Sequence, residues 1–152
     1  MSMVEQSTRN EMVVRRIVDE VINGNDTSVL GELMAPDFVP HAWWHEPFTP
    51  PESQMATPYE GIRAMIDADN ASYENRTMRI QEMMSTRDKV IAMLTNVGTR
   101  KAREISWNEI WIMRFENDRV VETWSLEDNL GRYQQLGVVA DSKTLLERAG
   151  LA

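Results

Sequence analysis

Residues 78–127 read MRIQEMMSTRDKVIAMLTNVGTRKAREISWNEIWIMRFENDRVVETWSLE, and they contain four candidate strands in succession. Apolar and polar residues alternate in them, and the pairs Arg87-Asp88 and Asn117-Asp118 are typical of turns. The strands predicted are about Met78–Ser85, Lys89–Thr99, Glu104–Phe115 and Arg119–Glu127. Because the connections are short, the sequence favours an antiparallel meander.

Helices are predicted before and after these strands. Apolar residues spaced four apart indicate a first helix over about Glu5–Asn23. Thr57-Pro58-Tyr59-Glu60 is typical of a capped helix start, and that helix is expected to run to about Tyr73. Short helices are expected over about Asp128–Leu136 and Ser142–Ala149. Four prolines in Phe38–Thr57 exclude a long helix or a central strand, which predicts an aromatic loop, either lining a cavity or lying on the surface.

This order of elements predicts an α+β fold. Helices that precede a curved antiparallel sheet are expected to pack on its concave face and leave a cone with an open mouth, which would enclose a pocket. We find no repeat or linker, so residues 1–152 are interpreted as a single domain.

Composition excludes several classes of function. Sixteen Lys and Arg against 24 Asp and Glu give a net charge of −8, which disfavours nucleic acid and anionic membrane as partners. Without cysteine the chain has no disulfide, thiolate nucleophile or cysteine-bound zinc, and two histidines (His41 and His45) argue against a metal site. Charged residues interrupt the N-terminus and no apolar run could span a membrane, so we expect a cytoplasmic protein. We also expect that the protein needs no cofactor.

The tail carries a recognisable pattern. Residues 114–128 read RFENDRVVETWSLED, and residues 134–137 read QQLG. This stretch resembles the SnoaL-like polyketide cyclase family, in which a strand R-F-x-D-G-K-I-x-E-x-W precedes x-x-x-D and a Q-L-G turn. The resemblance implies a cone-shaped fold of the nuclear-transport-factor-2-like superfamily and, by analogy, a homodimer formed through the outer sheet face. Gly98–Arg103 departs from the family, because it is short and basic and has Arg100 where histidine is common.

The resemblance implies that Asp128 is the general acid/base, since it matches the aspartate of W-x-x-x-D. Ring closure by an aldol step needs a proton removed from carbon between two carbonyls, and a carboxylate whose pKa is raised in an apolar pocket can do this. The alternative is a capping aspartate at the start of a helix. Neighbouring Glu127 is the other candidate, because adjacent strand residues point to opposite faces.

Further candidates come from the loop and the third strand. His41 could orient substrate or relay a proton, or it could be a hydrogen-bonded wall residue. Asn108 and Arg114 share a strand face that could line the cone and donate to an enolate oxygen, although Arg114 could equally form a salt bridge with Glu122. The opposite face is interpreted as core, in which Glu109 would need a partner if it were buried.

Three tryptophans are assigned to packing against substrate: Trp43, Trp107 and Trp124. Trp107 and Trp124 could also be core or interface residues.

These features predict a cofactor-independent enzyme of natural-product (polyketide) biosynthesis. It would cyclise or isomerise a hydrophobic carbonyl compound by Asp acid/base chemistry. Two alternatives stay open: a dehydratase or epoxide hydrolase on the same fold, and a non-catalytic small-molecule-binding protein.

Overall fold

Helices cover one face of a five-stranded sheet. The structure is a computed structural model that describes residues 2–42 and 57–151, with only the backbone described at Met3 and Ala42. The helical elements are α1 (Met3–Arg16), a π-helix (Ile17–Asn23), a 3₁₀ turn (Thr27–Val29), α2 (Leu30–Leu33), α3 (Pro58–Ser72), α4 (Asn129–Gln135) and α5 (Ser142–Arg148). None of the helices in these ranges is long and apolar enough to cross a bilayer.

The sheet has the strand order β1-β5-β4-β3-β2. Its strands are β1 (Met34–Ala42), β2 (Glu74–Ser85), β3 (Lys89–Arg100), β4 (Arg103–Glu116) and β5 (Arg119–Glu127). Strands β2 to β5 form consecutive antiparallel pairs, so the predicted meander is confirmed. Strand β1 pairs in parallel with β5.

Strand β1 corrects the prediction of a loop over Phe38–Thr57. The strand contains Pro36 and Pro40 and extends to Ala42. Proline lacks the N–H of a ladder bond, which excludes a central strand but leaves an edge strand available. Because β1 lies at the edge and pairs only with β5, it tolerates both prolines. The remainder of the expected loop, residues 43–56, lies outside the described residues.

The side chains of β4 alternate between two faces of the sheet. We call the helix-covered side the inner face; from β4 it carries Ile105, Trp107, Glu109, Trp111, Met113 and Phe115. Most of the core forms where helical residues such as Val14, Val18 and Ile66 pack over Val90 and Leu94 of β3. The opposite side is called the outer face.

Two asparagine side chains, the buried Asn10 and the more exposed Asn23, bond the first helical segment to the sheet. Asn10 donates from Nδ2 to the carbonyl of Arg87, 3.1 Å away. Asn23, where the π-helix ends, donates from Nδ2 to the Met78 carbonyl at 2.9 Å and accepts from the Met78 N–H at 2.8 Å. Because β2 is an edge strand, Asn23 takes the place of a neighbouring strand at Met78.

The predicted start of α3 is confirmed. Thr57 and Glu60 exchange side-chain and backbone hydrogen bonds in a capping box, and Pro58 occupies the first turn. The helix ends at Ser72, next to the predicted end at Tyr73.

Removing the Asn23 side chain is expected to destabilise the fold. Asn23→Ala leaves the N–H and carbonyl of Met78 without their partners, and we expect a loss of about 2 kcal/mol in the free energy of unfolding by urea. Asn70→Ala is the control, because that side chain bonds Asn25 on the exposed surface, and its cost should stay below about 0.5 kcal/mol. Equal losses in both variants would contradict the anchoring role.

Candidate active site

Two carboxyl side chains meet on the inner face. Glu109 of β4 and Glu127 of β5 are cross-strand partners, so their side chains point to the same side of the sheet. Glu109 is only 9% exposed, and Trp107 and Trp111 flank it on its own strand. The sheet therefore holds a carboxyl pair in a largely dry, aromatic setting.

Each oxygen of Glu109 has a donor. Nδ2 of Asn96 donates to Oε1 at 2.7 Å, and Nε1 of Trp111 donates to Oε2 at 2.8 Å. Burial first, and then the charge of Glu127, raise the pKa of Glu109 from 4.5 to about 7, although the Trp111 bond and the charge of Arg76 act to lower it. Glu109 can therefore exchange a proton near neutral pH.

Glu127 has a different environment, because a cation lies beside it. Arg132 of α4 donates from Nη1 to Oε1 of Glu127 at 3.0 Å, and Nε1 of Trp107 donates to the same oxygen at 2.8 Å. The Arg132 guanidinium also lies over the Trp107 ring, 5.3 Å from its centroid. The two carboxyls thus differ in environment, as an acid and a base that share one site must.

Asp128 lies at the start of α4 and caps it. The N–H of Gly131 donates to its Oδ1 at 2.8 Å, and its side chain is exposed. A Cβ at position 131 would come within 2.3 Å of Oδ2, so the glycine gives this carboxylate its room. The structure thus shows Asp128 as a helix cap, and a catalytic role for Asp128 stays a prediction.

Four other predicted site residues lie on the outer face, not in the cone. Strand register places His41 beside Trp124 and Arg114 beside Glu122, and Asn108 is exposed next to Thr95. The prediction that Asn108 and Arg114 line the cone is therefore wrong. Alternation separates the two sets of residues, but it cannot identify which set the helices cover.

Contacts on the outer face are structural in kind. The His41 ring stacks on Trp124 at 4.7 Å between centroids, and its Nε2 lies 3.0 Å from Oε2 of Glu122. Arg114 donates from Nε to Oε1 of Glu122 at 2.8 Å, which is the salt-bridge alternative for this arginine. Asn108 accepts a hydrogen bond from Thr95. Of the predicted tryptophans, Trp107 alone is found beside the carboxyl pair; Trp43 lies outside the described residues.

The pairing of Glu109 with Glu127 depends on a β-bulge that the sequence does not reveal. At the turn Glu116 pairs with Arg119, and the register shifts between Arg114 and Phe115. Counted from the turn without that shift, Glu109 would face Leu126 instead. The sequence does single out Glu109, because it is a glutamate among the apolar residues that alternate onto the inner face of β4.

Two surface hollows lie away from the carboxyl pair. A groove of about 470 Å³ runs between the π-helix and β2, lined partly by Arg15, Asp19 and Arg79. A hollow of about 50 Å³ lies on the outer face at Ile110 and Trp124. Neither places a carboxyl group in the dry setting that a neutral-pH proton transfer requires. Within residues 2–42 and 57–151, no three acidic or histidine side chains come together as metal ligands.

Comparisons with known proteins agree with this architecture. The family model for SnoaL-like polyketide cyclases matches residues 12–136. A candidate polyketide cyclase from Bacillus cereus superposes with a TM-score of 0.75 at 23% identity, covering 88% of this chain and 83% of that one. No curated protein matches in sequence.

Two structures from Streptomyces are also similar. IdmH, a candidate polyketide cyclase from Streptomyces antibioticus, has a TM-score of 0.69 at 24% identity, covering 85% of this chain and 99% of that one. AclR, a candidate hydroxylase from Streptomyces galilaeus, has a TM-score of 0.71 at 18% identity, covering 98% and 92%. These likenesses concern the fold, and they confirm the predicted α+β fold of the nuclear-transport-factor-2-like type.

The buried carboxyl makes stability depend on pH. Folding raises the pKa of Glu109 from 4.5 to about 7, so the folded protein binds more protons than the unfolded chain between these values. Stability should therefore fall as pH rises from 5 to 8, by on the order of 3 kcal/mol for this group. Urea unfolding across this range should show the decline, and Glu109→Gln should flatten it.

Glu104→Gln is the matched control. It makes the same substitution on the same strand at an exposed position, so the pH slope should stay that of the wild type. An unchanged slope in Glu109→Gln would contradict the burial of a titrating carboxyl.

Proposed function

The chain belongs to the SnoaL-like polyketide cyclase family, and from that premise we propose that it cyclises or isomerises a hydrophobic, carbonyl-bearing small molecule of natural-product biosynthesis. The chemistry is acid–base and needs no cofactor, because it consists of proton transfers and rearrangement of carbonyl electrons. The observation that carries the proposal is the pair Glu109 and Glu127 on the inner face.

Glu109 is the proton-transfer group in this proposal. Its ionised carboxylate takes a proton from the carbon between two carbonyls; the C–H bond breaks, an O–H bond forms on Glu109, and the electron pair moves onto the carbonyl oxygen. The enolate then attacks a second carbonyl or is protonated elsewhere. A base whose pKa lies near the operating pH suits this step, and such a group contributes roughly 10²- to 10⁴-fold to the rate.

The neighbours of Glu109 support this role. Trp111 and Asn96 fix the orientation of the carboxyl by donating to its two oxygens. Arg132 balances the charge of Glu127, so one carboxylate stays paired while the other changes its protonation state. The buried indoles of Trp107 and Trp111 keep water away from the Glu109 carboxyl.

A second reaction class, epoxide opening, is favoured by the same pair. That reaction needs an acid and a water-activating base held together. Asp128 alone could not supply both, whereas Glu109 and Glu127 are adjacent.

A product screen by mass spectrometry tests the proposal. Wild type, Glu109→Gln and Asp128→Asn would each be mixed with polyketide acids, β-keto esters and epoxides, without added cofactor. We expect a product from the wild type whose kcat/KM falls about 10²- to 10⁴-fold in Glu109→Gln. The wild-type kcat/KM for proton abstraction should rise with pH through about 7.

Asp128→Asn serves as the matched variant, because asparagine caps a helix as well as aspartate does. If Asp128 acts only as a cap, this variant keeps its turnover. Loss of turnover in Asp128→Asn, with full activity in Glu109→Gln, would return the acid/base role to Asp128. Ligand bound unchanged by all three proteins would favour a carrier function.

We also propose that the protein forms a homodimer through the outer face. Met93, Ile110 and Leu126 lie side by side across β3, β4 and β5, and all three are exposed. An apolar row of this kind can pack against its own copy across a two-fold axis.

Light scattering after size exclusion should therefore give a dimer at micromolar concentration. Ile110→Glu should shift it to a monomer, because a charge would be buried in the apolar contact. Val138→Glu, the same kind of change at an exposed position outside the sheet, should remain dimeric. A monomeric wild type would overturn this assembly.

A further inference from the structure

Arg76 of β2 is a buried cation with unused donors. Its side chain is 5% exposed, and its Nη2 forms an ion pair with Asp69 of α3 at 3.1 Å. Its Nε and Nη1 are buried and have no hydrogen-bond partner among the described residues. A guanidinium presents five N–H donors, and leaving buried donors unsatisfied is costly, so a group that keeps two nitrogens free calls for an explanation.

Arg76 lies on β2, next to the strand that carries Asn96 and two strands from Glu109. It lies two residues before Met78, which is opposite Asn96 in the β2–β3 pairing. Asn96 is the residue that donates to Glu109, and the charge of Arg76 acts on Glu109 by lowering its pKa. The unused donors therefore lie on the inner face within electrostatic reach of the proton-transfer group.

A free acceptor accompanies these donors. Oδ1 of Asn96 is buried and lacks a partner among the described residues, while Nδ2 of the same amide is bonded to Glu109. Donors on Arg76 and an acceptor on Asn96 together match a ligand that carries an anionic oxygen and a hydroxyl hydrogen.

The second arginine of the cluster, Arg132, has one buried nitrogen without a partner among the described residues, Nε, whereas Arg76 has two. Arg132 pairs with Glu127 through Nη1 and lies over the rings of Trp107 and Tyr133. Its charge is thus matched by a carboxylate that faces the same side of the sheet. Arg76 is the cation whose buried hydrogen-bonding capacity exceeds what Asp69 uses.

We infer that Arg76 binds the enolate oxygen of a 1,3-dicarbonyl ligand, with Nε and Nη1 donating to that oxygen. Asn96 Oδ1 accepts the hydrogen of a hydroxyl group that the ligand carries outside its dicarbonyl unit. The inference rests on the proposed function and adds to it the residue that holds the enolate oxygen. When Glu109 takes the carbon-bound proton, the negative charge leaves its carboxylate and appears on the carbonyl oxygen. The total charge is unchanged, and Arg76 stabilises it in the second position.

The ultraviolet spectrum of bound 1-phenylbutane-1,3-dione tests this assignment without turnover. The enolate and the neutral form of this diketone absorb differently, so a pH titration gives the pKa of the bound probe. We expect wild type to bind the enolate at least about tenfold more tightly than the neutral form, which lowers the pKa of the probe by about one unit. Arg76→Gln should abolish the lowering.

Glu109→Gln separates this inference from the proposed function. That variant cannot transfer the proton, yet it keeps Arg76, so the lowered pKa of the probe should persist in it. If the lowering depends on Arg76 while the product screen shows no need for Glu109, the proposed function fails and the anion site stands. If Glu109 proves essential while Arg76→Gln keeps the lowering, the anion site fails alone.

A conservative variant and the wild type itself provide the controls for this titration. Arg76→Lys retains the charge beside Asp69 but not the forked donors, so it should keep only part of the lowering, and circular dichroism reports whether each variant is folded. The wild type needs no variant for comparison: an unshifted pKa of the bound probe, or no binding of its enolate, would overturn the assignment.

Discussion

The carboxyl group of Glu109 lies beside that of Glu127 on the helix-covered face of the sheet, where little water reaches it. A buried carboxyl is tolerated only when its oxygens are bonded and its charge is either neutralised or balanced. Asn96 and Trp111 satisfy the oxygens, and a pKa raised to about 7 lets a proton neutralise the charge. The requirements of stability and of proton transfer thus converge on one side chain.

The two faces of the sheet have different roles. The inner face holds the carboxyl pair, two indoles and the arginines of β2 and α4. The outer face holds the stacked rings of His41 and Trp124, the Arg114–Glu122 ion pair and an apolar row available to a second copy. Because neighbouring residues of one strand serve both faces, a shift of one residue in register would exchange their roles.

Local signals predicted local features of the fold. Thr57, Pro58 and Glu60 define a helix start through contacts within four residues, and turn residues with alternation define the meander. Strand β1 could not be predicted in this way, because its prolines argue against a strand and its partner lies about 80 residues further along the chain.

The candidate site was harder to predict than the fold for a related reason. The aspartate of W-x-x-x-D fits two interpretations, because helix capping and catalysis both require the same side chain. The pairing of Glu109 with Glu127 depends on the β-bulge near Arg114, which the sequence does not reveal.

Carbon-13 NMR of protein labelled at the glutamate carboxyls measures the central claim directly, with Glu109→Gln assigning the resonance. We expect one carboxyl to titrate with a pKa near 7 and its signal to disappear in the variant. A Glu109 resonance that titrates near its ordinary value of 4.5 would contradict the account, because the carboxyl would then be solvated and unsuited to the proposed proton transfer.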